Sequence, residues 1–387
     1  MSLKPHYSRF LKGLGDRLHF CAHSHHPWPD CTRDAVLACW DDASGHADEK
    51  WDKVFGEVLP AAQAAVAEAL KWPSPDLIAF APNTHEFVAR LLSCLPPGRP
   101  PRILTTDSEF HSFARQTARL EEDGAKVERV AVEPFHSFVD RFVSAAKTGG
   151  HDMIFLSHVF FNSGHRLTEV QLQDISNAAP ERSVIVVDGY HAFMAAPLDL
   201  SKLAVRAFYL AGGYKYAQAG EGVCFLAVPP NCDLRPSNTG WFADFAALET
   251  GIKAPVGYGH GAFRFWGSTF DPTGLYRWNA VTAWRKSLGM TVEKSDAHVR
   301  SLQRGFMERL AASPRGPFKM ESLITADFAR MGHFLTFRLD AAPTVSKRLA
   351  AELGVLTDAR GDRLRFGFGL YHDEADLDEL FRRLAKA

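Results

Sequence analysis

The sequence predicts an α/β protein of three layers, a mainly parallel sheet with helices on both faces, followed by a smaller α+β C-terminal domain. Three observations carry this expectation. From about residue 76, short apolar runs alternate with segments of helical period, and alternation of that kind requires a crossover between successive strands, which favours parallel pairing. After about residue 275 the order changes to two long helical stretches and then strand, helix, strand and helix. With 387 residues the chain is also long enough for more than one core.

The strand candidates run in order DLIAF, RILTT, KVERVAV, DMIFLS, SVIVVD, AFYLAG and GVCFLAV. Between them lie helical segments such as HEFVARLLSCL, SFARQTARLEEDG and TEVQLQDISNA, the last opening on a capping-box pattern from Thr168 to Gln171. LPPGRPP at 95–101 is a connector. Further on, LYRWNAVTAWRKSLG and EKSDAHVRSLQRGFMERLAAS read as helices, HFLTFRL and RLRFGFGL as strands, TVSKRLAAELG and DEADLDELFRRLAKA as helices. The expected division is an N-terminal arm over 1–30, a large domain over 31–280 and a small domain over 281–387.

Bulk properties exclude several function classes. Hydrophobic residues at 46%, charged residues at 23% and a formal charge of −1 leave no long-range field that would suit nucleic acid or an anionic membrane. No apolar run is long enough to span a bilayer and the first residues lack the core of a secretory signal, so a cytoplasmic protein is expected. Six scattered cysteines with no C-x-x-C pair suit reduced thiols. His23, His25 and His26 crowd one loop, but no distant ligand pattern completes a site, and no metal is expected.

In an open α/β sheet, ligands sit at the carboxyl ends of strands. Asp188 ends the apolar run SVIVV, where it serves as a loop cap, a metal ligand, a ribose binder or the partner of a protonated ring nitrogen. Lys215 lies just beyond AFYLAG in a run of glycine and alanine, either with its stem packed and its amine in water or as a reactive amine. Together the two supply what pyridoxal phosphate most needs, an amine for a Schiff base and an acid for the pyridine nitrogen. Asn83 and Thr84 open an amphipathic helix whose first N–H groups suit a phosphate, and serve equally as an ordinary cap. Phe110 or His111, after RILTT, offers a flat side chain for stacking.

These segments, in this order, resemble the pyridoxal-phosphate enzymes of aspartate-aminotransferase fold (fold type I), the class V aminotransferase group, and within it kynureninase; the likeness covers nearly the whole chain. DGYHAF resembles the family's Asp-x-x-His and implies Asp188 at the pyridine nitrogen with His191 beside the cofactor. GYKYAQAGEG is similar to the kynureninase Tyr-Lys-Tyr segment and implies Lys215 as the Schiff-base residue and Tyr214 at the phosphate or near the reacting carbon. HFCAHSHHPWP resembles the substrate-side loop, implying His23 and Ser24 at the substrate, and SHVFFNSGHRL the strand-turn before the aspartate strand. TGWFADF implies Trp241, and FRFWGSTFDP implies Ser268 and Thr269, at the cofactor phosphate of a neighbouring subunit, hence a homodimer with shared sites. RLRFGFGLYHDEADLDEL resembles the strand whose arginine takes the substrate carboxylate, here Arg365, and a bidentate guanidinium suits that task.

The resemblance implies pyridoxal 5′-phosphate as cofactor and a small amino acid substrate, with Cβ–Cγ hydrolysis of an aromatic amino acid such as kynurenine as the expected reaction. Transamination to a 2-oxo acid, or a regulatory protein that has lost catalysis, are the alternatives. Phe113 stands where kynureninases carry an aspartate, and His23 and Ser24 stand where they carry Asn-Ser. No cysteine follows Cys232, which disfavours the desulfurase route through a cysteine shortly before the carboxylate-binding arginine.

Overall fold

A computed structural model describes residues 2–251 and 254–386. Each apolar run expected to pair does so. The strands are β1 (Leu18–His19), β2 (Ile78–Ala81), β3 (Arg102–Thr106), β4 (Lys126–Val130), β5 (Met153–Ser157), β6 (Val184–Asp188), β7 (Phe208–Gly212), β8 (Cys224–Ala227), β9 (Phe334–Arg338), β10 (Val355–Leu356), β11 (Asp358–Arg360) and β12 (Arg363–Gly367). Seven of them form one sheet in the order β2-β8-β7-β6-β5-β3-β4. Strands β5, β6 and β7 are buried throughout except for half-buried Asp188 at the end of β6, whereas β4 forms an edge and mixes exposed with half-buried residues.

The pairs β3–β4, β3–β5, β5–β6 and β6–β7 are parallel, whereas β8 runs antiparallel to both β7 and β2. A parallel strand needs a crossover of a dozen or more residues, usually helical, and the loop from Gly212 to Cys224 contains no helix, so β8 reverses direction. That loop carries Lys215. Helices Thr84–Leu92, His111–Glu122 and Glu169–Ala178 occupy the expected segments. Thr168 and Gln171 form the capping box on both sides of the last one. Helices Cys31–His46, Leu59–Leu70 and Phe135–Thr148 add to the layers around the sheet.

Two apolar clusters fill the interior. The larger surrounds the seven-stranded sheet; the second packs a three-stranded antiparallel sheet, β11-β12-β9, against the helices Val292–Ala312 and Glu374–Leu384. Phe20, fully buried, belongs to the second cluster, and β1 pairs in parallel with β10. The N-terminal segment is thereby fastened across the C-terminal sheet, which carries His23 to the neighbourhood of Arg365. No helix among the described residues is long and apolar enough to cross a membrane.

Candidate active site

A cavity of about 200 Å³ opens at the carboxyl ends of the central strands, and Asp188, Lys215, Asn83, Thr84, Phe110, His191 and Tyr214 all line it. Local geometry explains how the lysine gets there. A Cβ on Gly212 would lie 2.2 Å from the Tyr190 hydroxyl and 2.3 Å from the Cys224 sulfur, so only glycine lets β7 end this close to its neighbours. Beyond the lysine, Gln218, Gly220 and Gly222 take positive φ and turn the chain back into β8.

Lys215 is 5% exposed and donates or accepts at 2.9 Å with His191 Nε2. The rings of Tyr190, Tyr214 and Phe110 surround its amine at 4.7, 5.7 and 5.8 Å from their centroids. Burial lowers its pKa to about 7, against the opposing pull of Asp188 and with help from Arg365. The amine is therefore largely available as a neutral nucleophile near physiological pH. Burial also holds the His191 imidazole well below its ordinary range, with Lys215, His23 and Arg365 adding to the effect. His191 Nε2 lies 3.2 Å from the His23 carbonyl oxygen as well.

Asp188, at the last position of β6, lies opposite Leu210 of β7 and accepts from the Tyr190 backbone N–H at 2.9 Å. Burial raises its pKa, and the Tyr190 hydrogen bond and Lys215 offset part of that. A cation facing this carboxylate would complete the compensation, and a protonated pyridine nitrogen is such a cation. Asn83 caps the helix Thr84–Leu92 by accepting from the Glu86 N–H at 3.0 Å, so the capping role and a place at the cavity coexist in one residue. The residues present fit pyridoxal phosphate: an amine near neutrality, a carboxylate across the cavity, a helix N-terminus and the Phe110 ring.

Several lining residues carried no signal in the sequence. Phe161, in the turn after β5, stacks on His191 at 6.2 Å and meets Phe110 edge-on at 5.4 Å. Tyr190 is buried, with its hydroxyl 3.3 Å from Cys224 Sγ. Burial pushes the Cys224 thiol up to about 12, which makes it an unreactive wall residue. Behind the cavity, buried Glu109 accepts from Thr106 Oγ1 at 2.6 Å, from the Ser157 N–H at 3.2 Å and from Ser157 Oγ at 2.6 Å; burial raises its carboxyl to about 7.

Other expected residues stand away from the cavity. Phe113 is core, stacked on Phe155 at 3.7 Å, and His111 does not line the cavity. Ser24 is half-buried beside His25. Trp241 is 44% exposed, and Ser268 and Thr269 line a separate depression of about 210 Å³ with Arg90, Trp266 and Pro82. Pro82 borders both spaces.

Arg365 is 2% exposed and absent from the cavity wall. It is ion-paired with Asp358, donates from Nη1 to the Phe161 carbonyl oxygen at 2.8 Å, and lies 4.4 Å from the Phe161 ring centroid. His23, stacked on Phe334 at 4.7 Å, has its Nε2 3.6 Å from Asp358. Asp358 was missed, although DARGDRLR does contain a hairpin signal. A two-residue turn at Gly361 and Asp362, with Gly361 at φ 56°, sets Asp358 opposite Arg365.

Comparisons with known proteins agree with this arrangement at the level of fold. The cystine C–S lyase C-DES, solved with its product cysteine persulfide, superposes with a TM-score of 0.81 at 19% identity, over 97% of this chain and 99% of that one. The same lyase is also known with glycine covalently linked to its PLP cofactor. Cysteine desulfurase from Thermococcus onnurineus NA1 gives 0.80 at 14% identity, over 100% of this chain and 98% of that one. The cysteine desulfurase CsdA from Escherichia coli gives 0.80 at 16% identity, over 99% and 96%. None of these three is a kynureninase, so the narrower resemblance is not what they reproduce. No curated protein sequence matches the chain. The sequence profile of the aminotransferase class-V family matches residues 43–380, and on that match, over a sheet of fold type I, the chain belongs to the aminotransferase class-V family of pyridoxal-phosphate-dependent enzymes.

Proposed function

We propose that this enzyme acts on an aromatic amino acid by hydrolysing its Cβ–Cγ bond, as kynureninases do. The observation that carries the reading is the buried Lys215 amine, held near neutrality between His191 and three aromatic rings. Bound pyridoxal phosphate supplies an electron sink for the charge left when the substrate Cα loses its proton. Lys215 would anchor the cofactor and, with its amine free, would take the Cα proton on Nζ. Asp188 would hold the cofactor's ring nitrogen and keep it charged, and the N-terminal turn at Asn83 and Thr84 would hold the phosphate. Phe110, Phe161, Tyr190 and Tyr214 give the cavity flat apolar walls that exclude water and suit an aromatic side chain.

A desulfurase reading finds a cysteine in the wall, but the Cys224 thiol is hydrogen-bonded to Tyr190 and far from ionisation, which argues against a nucleophilic role. Trp241, Ser268 and Thr269 are exposed and stand outside the wall of the cavity, which supports their serving the site of a second subunit in a homodimer. The deciding experiment is product analysis by mass spectrometry after incubation with kynurenine and a panel of amino acids. Alanine with an aromatic acid supports the proposal; a 2-oxo acid with aminated cofactor assigns transamination instead. A monomer with full activity in size-exclusion chromatography removes the shared-site claim.

A further inference from the structure

We propose that Asp358 competes with the substrate's carboxylate for Arg365 and so sets this site's preference between an α-amino acid and the matching amine that lacks the carboxylate. The inference rests on the reading of the cavity as an amino acid site.

A guanidinium fixes a carboxylate best through two parallel N–H donors. Here Arg365 Nη2 is committed to Asp358 and Nη1 to the Phe161 carbonyl oxygen, and Nε is buried with no partner. Nε is thus the one guanidinium nitrogen without a partner, and an incoming carboxylate pairs there and gains the parallel Nη2 donor by displacing Asp358. Charge balance permits the exchange, because one carboxylate replaces another at Arg365 and Asp358 keeps a second cation. Arg360 Nη1 lies 2.7 Å from Asp358 Oδ1 on a side chain that is 59% exposed, and His23 approaches from the other side. Burial opposes ionisation of Asp358, yet His23, Arg365 and Arg360 together hold its carboxyl below the usual range, so the competitor is charged. A ligand with no carboxylate leaves this arrangement intact. Phe161 adds a cover, since its ring lines the cavity and also lies against the Arg365 guanidinium.

The test measures binding to the pyridoxal-phosphate-loaded protein by calorimetry, with benzoate, L-phenylalanine and 2-phenylethylamine as probes. In Asp358→Asn, made alone and with Phe161→Ala to remove the cover, benzoate and L-phenylalanine are expected to bind at least about tenfold more tightly than in the corresponding Asp358 protein. Affinity for 2-phenylethylamine changes by less than about twofold, and adding Arg365→Gln abolishes the gain. The surface change Arg360→Gln removes Asp358's second cation and is expected to weaken benzoate binding, which keeps the proposal testable should Asp358→Asn fold poorly. Equal or weaker carboxylate binding in Asp358→Asn, unchanged or tighter benzoate binding in Arg360→Gln, or no benzoate binding in any variant, overturns it. Where benzoate follows the expected pattern but L-phenylalanine binds nowhere, the Asp358 assignment stands and the amino acid reading fails.

Discussion

In the protein freed of cofactor, Lys215 is expected to react with an amine-directed reagent at a pH where every ordinary lysine is protonated. A pKa of about 7, against 10.5 for an unperturbed lysine, leaves about half of this amine uncharged at pH 7. An ordinary lysine has about one part in 3,000 uncharged, so Lys215 presents roughly a thousandfold more nucleophile. The assay is a limited pulse of trinitrobenzenesulfonate at pH 6 to 10, followed by peptide mapping. Labelling of Lys215 rises with a midpoint near pH 7. Asp188 favours the charged form of Lys215 and Arg365 opposes it, so Asp188→Asn moves the midpoint down and Arg365→Gln moves it up. A midpoint near 10, or an Asp188→Asn shift upward, refutes the argument that burial sets the state of this amine.

Three further outcomes follow from the same geometry. Glu109 is raised to about 7 from 4.5, so its burial costs stability increasingly as pH rises from 4.5 to 7; Glu109→Gln removes a penalty of up to about 3 kcal/mol above pH 7 and none below pH 4, read as a pH-dependent gain in urea midpoint. Phe306, fully buried among Phe366, Phe368 and Phe381, loses about 3–5 kcal/mol on truncation to alanine, and denaturation followed by circular dichroism measures it. Thr168→Ala removes one half of a capping box and lowers stability by about 1 kcal/mol in the same assay, without changing the visible spectrum of the loaded enzyme.

How far the sequence reached depended on range. Asp188 and Lys215 were legible because apolar strand runs locate strand ends, and strand ends in an α/β sheet locate ligands. Asn83 was legible as a helix start, with its two readings undivided until the fold placed it on the cavity. The reversal of β8 could have been inferred from the short loop after Gly212, but periodicity alone does not give direction. Phe161, Tyr190 and Glu109 were not legible, because an aromatic or an acid in a turn announces nothing until the surrounding strands close around it. Phe113 shows the converse: its place in sequence suggested the pocket, and packing against Phe155 took it into the core. Arg365 was singled out in the sequence and its partner Asp358 was not; the hairpin register that pairs the two is a two-strand property. Trp241, Ser268 and Thr269 stand outside the cavity wall, and the role the resemblance gave them concerns a second subunit.

The central claim is that Lys215 is the covalent anchor, and the direct measurement is to load the purified protein with pyridoxal 5′-phosphate, reduce it with borohydride and map the modified peptide. The account predicts a visible absorption band before reduction and afterwards a single phosphopyridoxyl group on the peptide containing Lys215, both lost in Lys215→Ala. A colourless protein, or an adduct spread over surface lysines with none on Lys215, contradicts it.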